Sequence, residues 1–365
     1  MEKTHVAARM FFAAAEIAAV RPYGTGKVND TFLVSLNGED KQSYLLQRIS
    51  SRVFPRPEWV MENLRVVCDH VAAKGEALPG RRWEMPLLRQ TLSGRDFWRD
   101  PEGGCWRVLH FIKDSRCFEE LDSVERAHEV GFALGRFHRL INDLDPRRLH
   151  DTLPGFHVAP LYLARYDLVR AAGRGEDSID SRFCRDFINQ RREAIAVLEK
   201  AADQGKLLVR PIHGDPKLSN ILFDGKSGQA VSLIDLDTVR PGLLLYDIGD
   251  CLRSSCNTSG EESAASDLVF FDVDLCRAIL RGYAAEAGRL LTTGDVHFLA
   301  DAVKLIALEL GMRFFTDHLE GDIYFKTAFP GQNLQRALVQ FRLVASIEKQ
   351  QKKIIAILAE MSNLF

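Results

Sequence analysis

One stretch constrains this chain more than any other. It is His213-Gly214-Asp215-Pro216-Lys217-Leu218-Ser219-Asn220, followed by the apolar run Val231-Ser232-Leu233-Ile234 that ends in Asp235-Leu236-Asp237. The first run sets a carboxylate, an ammonium and an amide at short fixed offsets. The second reads as a strand that delivers carboxylates at its end. Phosphoryl transfer needs these parts: one carboxylate to accept the proton of the attacking hydroxyl, and two oxygen ligands to hold Mg²⁺ on the phosphates of ATP. Asp215 fits the first requirement, and Asn220 and Asp235 fit the second. Lys217 stands two residues beyond Asp215, where its ammonium can neutralise charge on the transferred group.

The chain has 365 residues, enough for two lobes with cores of their own. A hydrophobic share of 46%, a charged share of 27% and a net charge of −2 are those of a soluble globular protein. That balance points away from nucleic acid and from anionic membrane surfaces as partners. Seven cysteines, an odd number without any Cys-x-x-Cys pair, argue against a disulfide framework or a structural zinc site and for a reducing, cytoplasmic setting. No run of 18 apolar residues exists to span a bilayer.

Along the chain, Val6–Val20 reads as an amphipathic helix, and Tyr23-Gly24-Thr25-Gly26 as a glycine turn entering a strand. Thr31–Ser35 and Ser43–Ile49 read as a hairpin around Asn37-Gly38-Glu39-Asp40. A helix over Pro57–Ala73 carries Val60, Leu64, Val67 and Val71 on one face. Trp106–Ile112 reads as a further strand, with Phe111 and Ile112 at the crossing between lobes. Helices are expected over Ser123–Leu140, over Phe183–Ala202 and through most of Asp272–Phe365, with Asp145–Pro160 as a connector. Asp247 and Asp250 suit helix caps, and Glu261-Glu262 a solvated face or a helix start.

Glycine turn, helix, His-Gly-Asp-x-Lys-x-x-Asn and apolar strand ending in Asp follow the order of parts in protein-kinase-like phosphotransferases. The runs HGDPKLSN and IDLD resemble the aminoglycoside phosphotransferase and choline kinase superfamily. Within it, GMRFFTDHLEGDIYF (Gly311–Phe325), IDLDTVRPG, YDIGD and PYGTGKVNDTF look like the bacterial N-acetylhexosamine 1-kinases. The resemblance implies a bilobal α+β fold: an antiparallel-sheet N-lobe over residues 1–112 and a larger, mainly helical C-lobe over 113–365. It implies Asp215 as the base acting on the anomeric hydroxyl of a sugar, Asn220 and Asp235 on Mg²⁺, and Arg313, Tyr324 and Thr238 at the sugar. Asp247 would brace the catalytic loop and His213 would position it, while ATP would be covered by Gly24 and Gly26 with its adenine against Phe111 and Ile112.

Two departures stand out. Asn29 occupies the third position of the Gly-x-Gly-x-x-Gly spacing, and Gln47 stands where kinases place a strand lysine. Gln47 can hydrogen-bond a phosphate but brings no charge, so Lys27 in the glycine turn is the candidate to supply it. Asp237 has three open roles: metal binding, loop orientation or substrate contact. Arg313 has a local alternative, pairing with Glu309 or Asp317 at helical spacing, and His138 reads as a buried, satisfied histidine. The expected activity is an ATP- and Mg²⁺-dependent sugar 1-kinase, monomeric or a small homo-oligomer. The alternatives are a kinase of the same fold for an aminoglycoside, choline or amino-alcohol, a nucleotide-binding regulator without catalysis and, last, a protein kinase.

Overall fold

The computed structural model describes the chain apart from residues 1, 25–27, 39–41, 77, 174–177, 264–267, 362 and 364–365. Gly26 and Lys27, expected at the nucleotide, lie outside the described residues.

Helix α1 (Glu2–Arg9) is followed by an antiparallel meander of β1 (Ile17–Pro22), β2 (Asp30–Leu36) and β3 (Ser43–Ile49). Helix α2 (Pro57–Lys74) comes next, then the short strands β4 (Leu88–Arg89) and β5 (Trp98–Arg99) and the longer β6 (Cys105–His110). The sheet runs β1-β2-β3-β6-β4, with β5 also on β6. Helix α2 forms for local reasons. Pro57 pre-sets its first turn, Val60, Met61, Leu64 and Val67 bury one face, and Gly75 ends it in the left-handed conformation at φ 59°.

The helix expected over Val6–Val20 stops at Arg9, and Ile17 begins β1 instead. Helix-forming alanines are overridden here by strand pairing, Ile17 against Leu36 and Val20 against Val34. Phe11 and Phe12 in the intervening turn are fully buried, packed with Ala7, Ala8, Val34, Leu46 and Val108 over the outer face of the sheet.

The helical half starts with β7 (Ser115–Arg116) and α3 (Val124–Ile141), then α4 (Ala159–Ala171), α5 (Ile179–Asn189) and α6 (Val197–Asp203). The single helix expected over Phe183–Ala202 is therefore broken. Arg191 leaves helical geometry at φ −114° and pairs with Glu348, 2.7 Å away on a distant helix. Four short strands follow: β8 (Val209–Ile212), β9 (Ile221–Asp224), β10 (Ala230–Leu233) and β11 (Arg240–Leu243). The chain continues with α7 (Leu244–Ser255), α8 (Val273–Ala287), α9 (Thr293–Glu320) and α10 (Gln332–Glu360). Asp247 and Asp250 lie inside α7 rather than at its cap, which is Leu243.

One apolar core runs from Ile49, Leu64 and Leu109 beside the sheet to Phe315, Phe341 and Ile347 among the last helices. The α+β arrangement is thus the expected one. Among the described residues no helix is long and apolar enough to cross a membrane, and all seven cysteines are free.

Helices α3 and α8 meet backbone to backbone. A Cβ at Gly131 would stand 1.8 Å from the Ile279 carbonyl oxygen, and one at Gly282 would stand 2.0 Å from that of His128. Backbone cannot yield as a flexible side chain can. Gly282→Ala is therefore expected to force the helices apart at a cost of about 3 kcal/mol, read as a lower midpoint of chemical denaturation.

Candidate active site

Two strand pairs frame the site. Strands β8 and β11 are antiparallel, with Ile212 opposite Arg240. Strands β9 and β10 form a hairpin with Ile221 opposite Leu233, extended by Ile234 N–H donating to the Asn220 carbonyl at 2.8 Å. The loop 213–220 leaves β8 and enters β9, and the turn 234–239 leaves β10 and enters β11. The two connections must therefore run side by side. Asn220 and Asp235, fifteen positions apart in sequence, end up at one hairpin mouth.

Cross-links fix the two loops together. His213 Nε2 bonds the Ile234 carbonyl at 2.9 Å, and Thr238 Oγ1 donates to the His213 carbonyl at 2.8 Å. Gly214 takes φ 89° and passes so close to Thr238 that a Cβ there would meet the Thr238 carbonyl oxygen at 2.6 Å. Glycine is required on both counts. Asp235 turns the chain at φ 64°, a left-handed conformation that a short polar residue tolerates, so that its side chain opens into the cleft.

At the centre, Lys217 Nζ donates to Asp215 Oδ2 at 2.6 Å. The Asn220 amide donates to the Asp215 carbonyl at 2.8 Å and reaches Oδ2 at 3.3 Å. The Asp215 charge raises the Lys217 pKa, against the cost of burial, so Lys217 stays an ammonium. The Asp235 carboxyl is pushed up to about 7, by burial first and then by Asp237, with Lys217 opposing and Asp215 adding to the rise. The residue sits deep among its neighbours yet stays open to solvent at the cleft mouth, so water screens part of that burial effect. Carboxylates 215, 235 and 237 crowd one cleft against the cations Lys217 and Arg107. Negative charge in excess of positive suits a divalent cation, and the Asn220 and Asp235 oxygens are hard donors fit for one. Among the described residues no cluster of three or more His, Cys, Asp or Glu forms a self-sufficient metal site, so phosphate and water oxygens would have to complete the coordination.

Asp247 anchors the loop 213–220 from beneath. Its buried carboxylate accepts the His213 and Gly214 amides at 2.6 and 2.8 Å, and His138 Nε2 lies 2.9 Å away. His138 is satisfied at its other nitrogen by the Tyr283 hydroxyl, 3.0 Å away. Burial raises the Asp247 pKa, but the His138 hydrogen bond and charge outweigh it, and the carboxyl falls below its ordinary 3.8.

Beside the loop lies a wall that the sequence did not announce. His157, at φ 62°, bonds the Gly214 carbonyl through Nε2 at 2.9 Å and stands 3.3 Å from Glu309. Arg313 lies 4.0 Å from the same Glu309 and is surrounded by the rings of Phe156, Tyr162 and Phe325, 5.0 to 5.5 Å from its guanidinium. Asp317 does not pair with Arg313. It accepts the Tyr324 and Phe325 amides and the Asn333 side chain, pinning the loop after α9. Tyr324 is exposed on that loop. Arg253 holds Asp250 at 2.8 Å and pairs with Glu261, which stays partly exposed and is a neighbour of Lys217 and Asp215. Glu262 pairs with Arg336 at 2.6 Å.

On the sheet side, Phe111 follows β6 with the Tyr23 ring edge-on at 5.7 Å, and Ile112 is buried behind it. Gly24 turns at φ 74°. Gln47 does not reach into the cleft alone. Its carbonyl oxygen accepts Nε and Nη2 of Arg107, opposite it on β6, at 3.0 and 2.8 Å. Arg107 Nη2 in turn lies 2.5 Å from Asp237 Oδ1, and Asn29 donates to Asp237 Oδ2 at 2.7 Å. Arg107 was legible only as a charge inside the apolar strand Trp106–Ile112. His157 sits in a connector with no periodicity to read.

Asp247→Asn is expected to destabilise the protein by about 3 kcal/mol at neutral pH, because the buried amides and His138 lose a charged acceptor. A carboxyl lowered in the folded state stabilises it fully above the unfolded value near 3.8, and that contribution is lost as pH falls through the lower folded value. The gap in denaturation free energy between wild type and variant should therefore close at acid pH.

The family model of the phosphotransferase enzyme family matches residues 19–287. Solved structures similar over nearly the whole chain include an aminoglycoside phosphotransferase from Alicyclobacillus acidocaldarius, 19% identical, with a TM-score of 0.64 over 95% of this chain and 96% of that one. A choline kinase from Cryptosporidium parvum is 15% identical, with a TM-score of 0.59 over 97% and 95%. Amicoumacin kinase hAmiN, solved in complex with AMP-PNP, Ca²⁺ and Ami, is 16% identical, with a TM-score of 0.56 over 96% and 93%. The sheet-plus-helices architecture is the protein-kinase-like fold that these structures share, and with the family model matching well over half its length the chain belongs to the phosphotransferase enzyme family.

Proposed function

We propose that this protein is an ATP- and Mg²⁺-dependent sugar kinase that phosphorylates the anomeric hydroxyl of an N-acetylhexosamine or a related sugar, releasing a sugar 1-phosphate and ADP. The observation that carries the acceptor class is the state of the wall beside Asp215. Each of its carboxylates already has a cationic neighbour: Asp250 and Glu261 share Arg253, and Glu309 lies between His157 and Arg313. The aromatic faces of Phe156, Tyr162 and Phe325, which would otherwise cradle a quaternary ammonium, are occupied by the Arg313 guanidinium. Such a wall suits a neutral polyol, whose hydroxyls need donors and acceptors and whose ring offers an apolar face. The likeness of Gly311–Phe325 to the hexosamine kinases points the same way, although Gly311 and Asp317 in that run also serve packing and loop anchoring.

In this reading Asp215 accepts the proton of the attacking hydroxyl. The sugar oxygen forms a bond to the γ-phosphorus as the bond from that phosphorus to the bridging oxygen of ADP breaks. Lys217, already held on Asp215, keeps its ammonium beside the transferred group, and Asn220 fixes the Asp215 backbone. Mg²⁺ held by Asn220 and Asp235 would supply charge neutralisation on the phosphates. The adenine would rest against Phe111 and Ile112, with Tyr23 and Gly24 above it. No covalent intermediate is needed, because positioning and electrostatics carry the rate.

Purified protein with ATP and Mg²⁺ should release ADP with N-acetylglucosamine, N-acetylgalactosamine, glucose or galactose, and phosphorus NMR should show the phosphate at the anomeric carbon. Turnover confined to choline or kanamycin would overturn the sugar reading while leaving the family intact. Asp215→Asn should lower kcat by about a thousandfold and leave ADP affinity within about twofold, since removing a base does not remove ligand contacts.

A further inference from the structure

The strand position that in kinases carries a phosphate-facing lysine is Gln47, yet the cleft is not without a sheet-borne cation. Thr31, Gln47 and Arg107 stand directly opposite one another on β2, β3 and β6, so all three point to the same face. The Gln47 amide donates to Thr31 Oγ1 at 3.1 Å, which turns its carbonyl oxygen toward Arg107. That oxygen takes two guanidinium N–H groups and holds the guanidinium in ion-pair contact with Asp237. Both members of the ion pair are buried, Arg107 at 1% and Asp237 at 3% exposure. Asn29 closes a ring from the other side, donating to Asp237 Oδ2 and accepting the Ser50 amide at 3.0 Å. The two departures from the kinase pattern, Gln47 and Asn29, thus converge on one carboxylate.

That carboxylate belongs to the same single turn as Asp235 and Thr238, and Thr238 is bonded to the backbone of His213. Displacing Asp237 therefore displaces the proposed metal ligand on one side and the catalytic loop on the other. Arg107 Nη1 is buried and finds no hydrogen-bond partner among the described residues, so the guanidinium keeps a donor in reserve.

We infer that Arg107 is a positioning residue for phosphoryl transfer: oriented by Gln47, it sets, through Asp237, the turn that presents Asp235 to the metal–nucleotide complex. The inference rests on the kinase reading above. It assigns to the pair Gln47–Arg107 a task that neither residue performs alone: one supplies the charge and the other its direction. A guanidinium suits the task better than an ammonium, because its planar fork is fixed by two bonds to one oxygen and still reaches a carboxylate.

The test is calorimetric ADP binding with and without Mg²⁺, alongside thermal unfolding, for wild type, Arg107→Met, Arg107→Lys and Gln47→Leu. Wild type should bind ADP more tightly with Mg²⁺ than without. Arg107→Met should lose about tenfold or more of that Mg²⁺-dependent gain while metal-free ADP affinity stays within about twofold, as expected when the support of a metal ligand is removed. Gln47→Leu, which keeps the ion pair but not its orientation, and Arg107→Lys should each lose about threefold. A merely structural ion pair would weaken ADP binding equally in both conditions, and that result would overturn the inference, as would an undiminished Mg²⁺ gain in Arg107→Met and Gln47→Leu. If Arg107→Met unfolds, Gln47→Leu decides. Wild type without any Mg²⁺-dependent ADP binding would sink the kinase reading and the inference with it, whereas variants equal to a Mg²⁺-responsive wild type sink the inference alone.

Discussion

The buried Asp247 carboxylate holds the molecule's chemistry in place. It accepts two consecutive amides of the loop 213–220 and pairs with His138 of α3, joining three separate stretches of chain at one point. A charge in that position is tolerable because its oxygens are filled by directed donors. The close approach of α3 and α8 across Gly131 and Gly282 brings Tyr283 up to His138. The precision of the loop therefore begins in helix packing well away from the cleft.

From that anchor the site is assembled by strand pairing rather than by sequence proximity. The β8–β11 pair and the β9–β10 hairpin force two connections to lie side by side, and the cross-links from His213 and Thr238 make them one unit. Asp215, Lys217 and Asn220 come from the first connection, Asp235 and Asp237 from the second. Like charges gathered in this way would repel. Lys217 and Arg107 offset part of that repulsion, and the remainder is an electrostatic preference for a divalent cation.

The acceptor wall and the sheet-side latch share a design. In both, an arginine is oriented before any ligand arrives, Arg313 by Glu309 and three rings, Arg107 by Gln47 and Asp237. Pre-oriented guanidinium groups lose little entropy on binding and resist reorganisation as charge shifts.

The sequence by itself determined the parts whose spacing is short. Asp215, Lys217 and Asn220 lie within one loop, and Asp235 ends an apolar strand, so their company could be read from order and interval. The β2–β3 hairpin and helix α2 were legible for the same reason: their periodicity and punctuation act over a few residues. Where distant partners decide, local reading failed. Ile17–Pro22 became a strand because β2 offered a ladder, and the helix expected through Phe183–Ala202 broke where Arg191 turns to Glu348. Glu261 keeps part of its carboxylate in water but is tied to the buried Arg253, a partner eight positions away that no local pattern announces. The latch shows the limit most plainly. Gln47 read as a missing charge, and only the register that sets it opposite Arg107, with Asp237 across the cleft, revealed the ion pair beside it. Side-chain partners across a sheet or between lobes are set by three-dimensional register, and no interval along the chain encodes it.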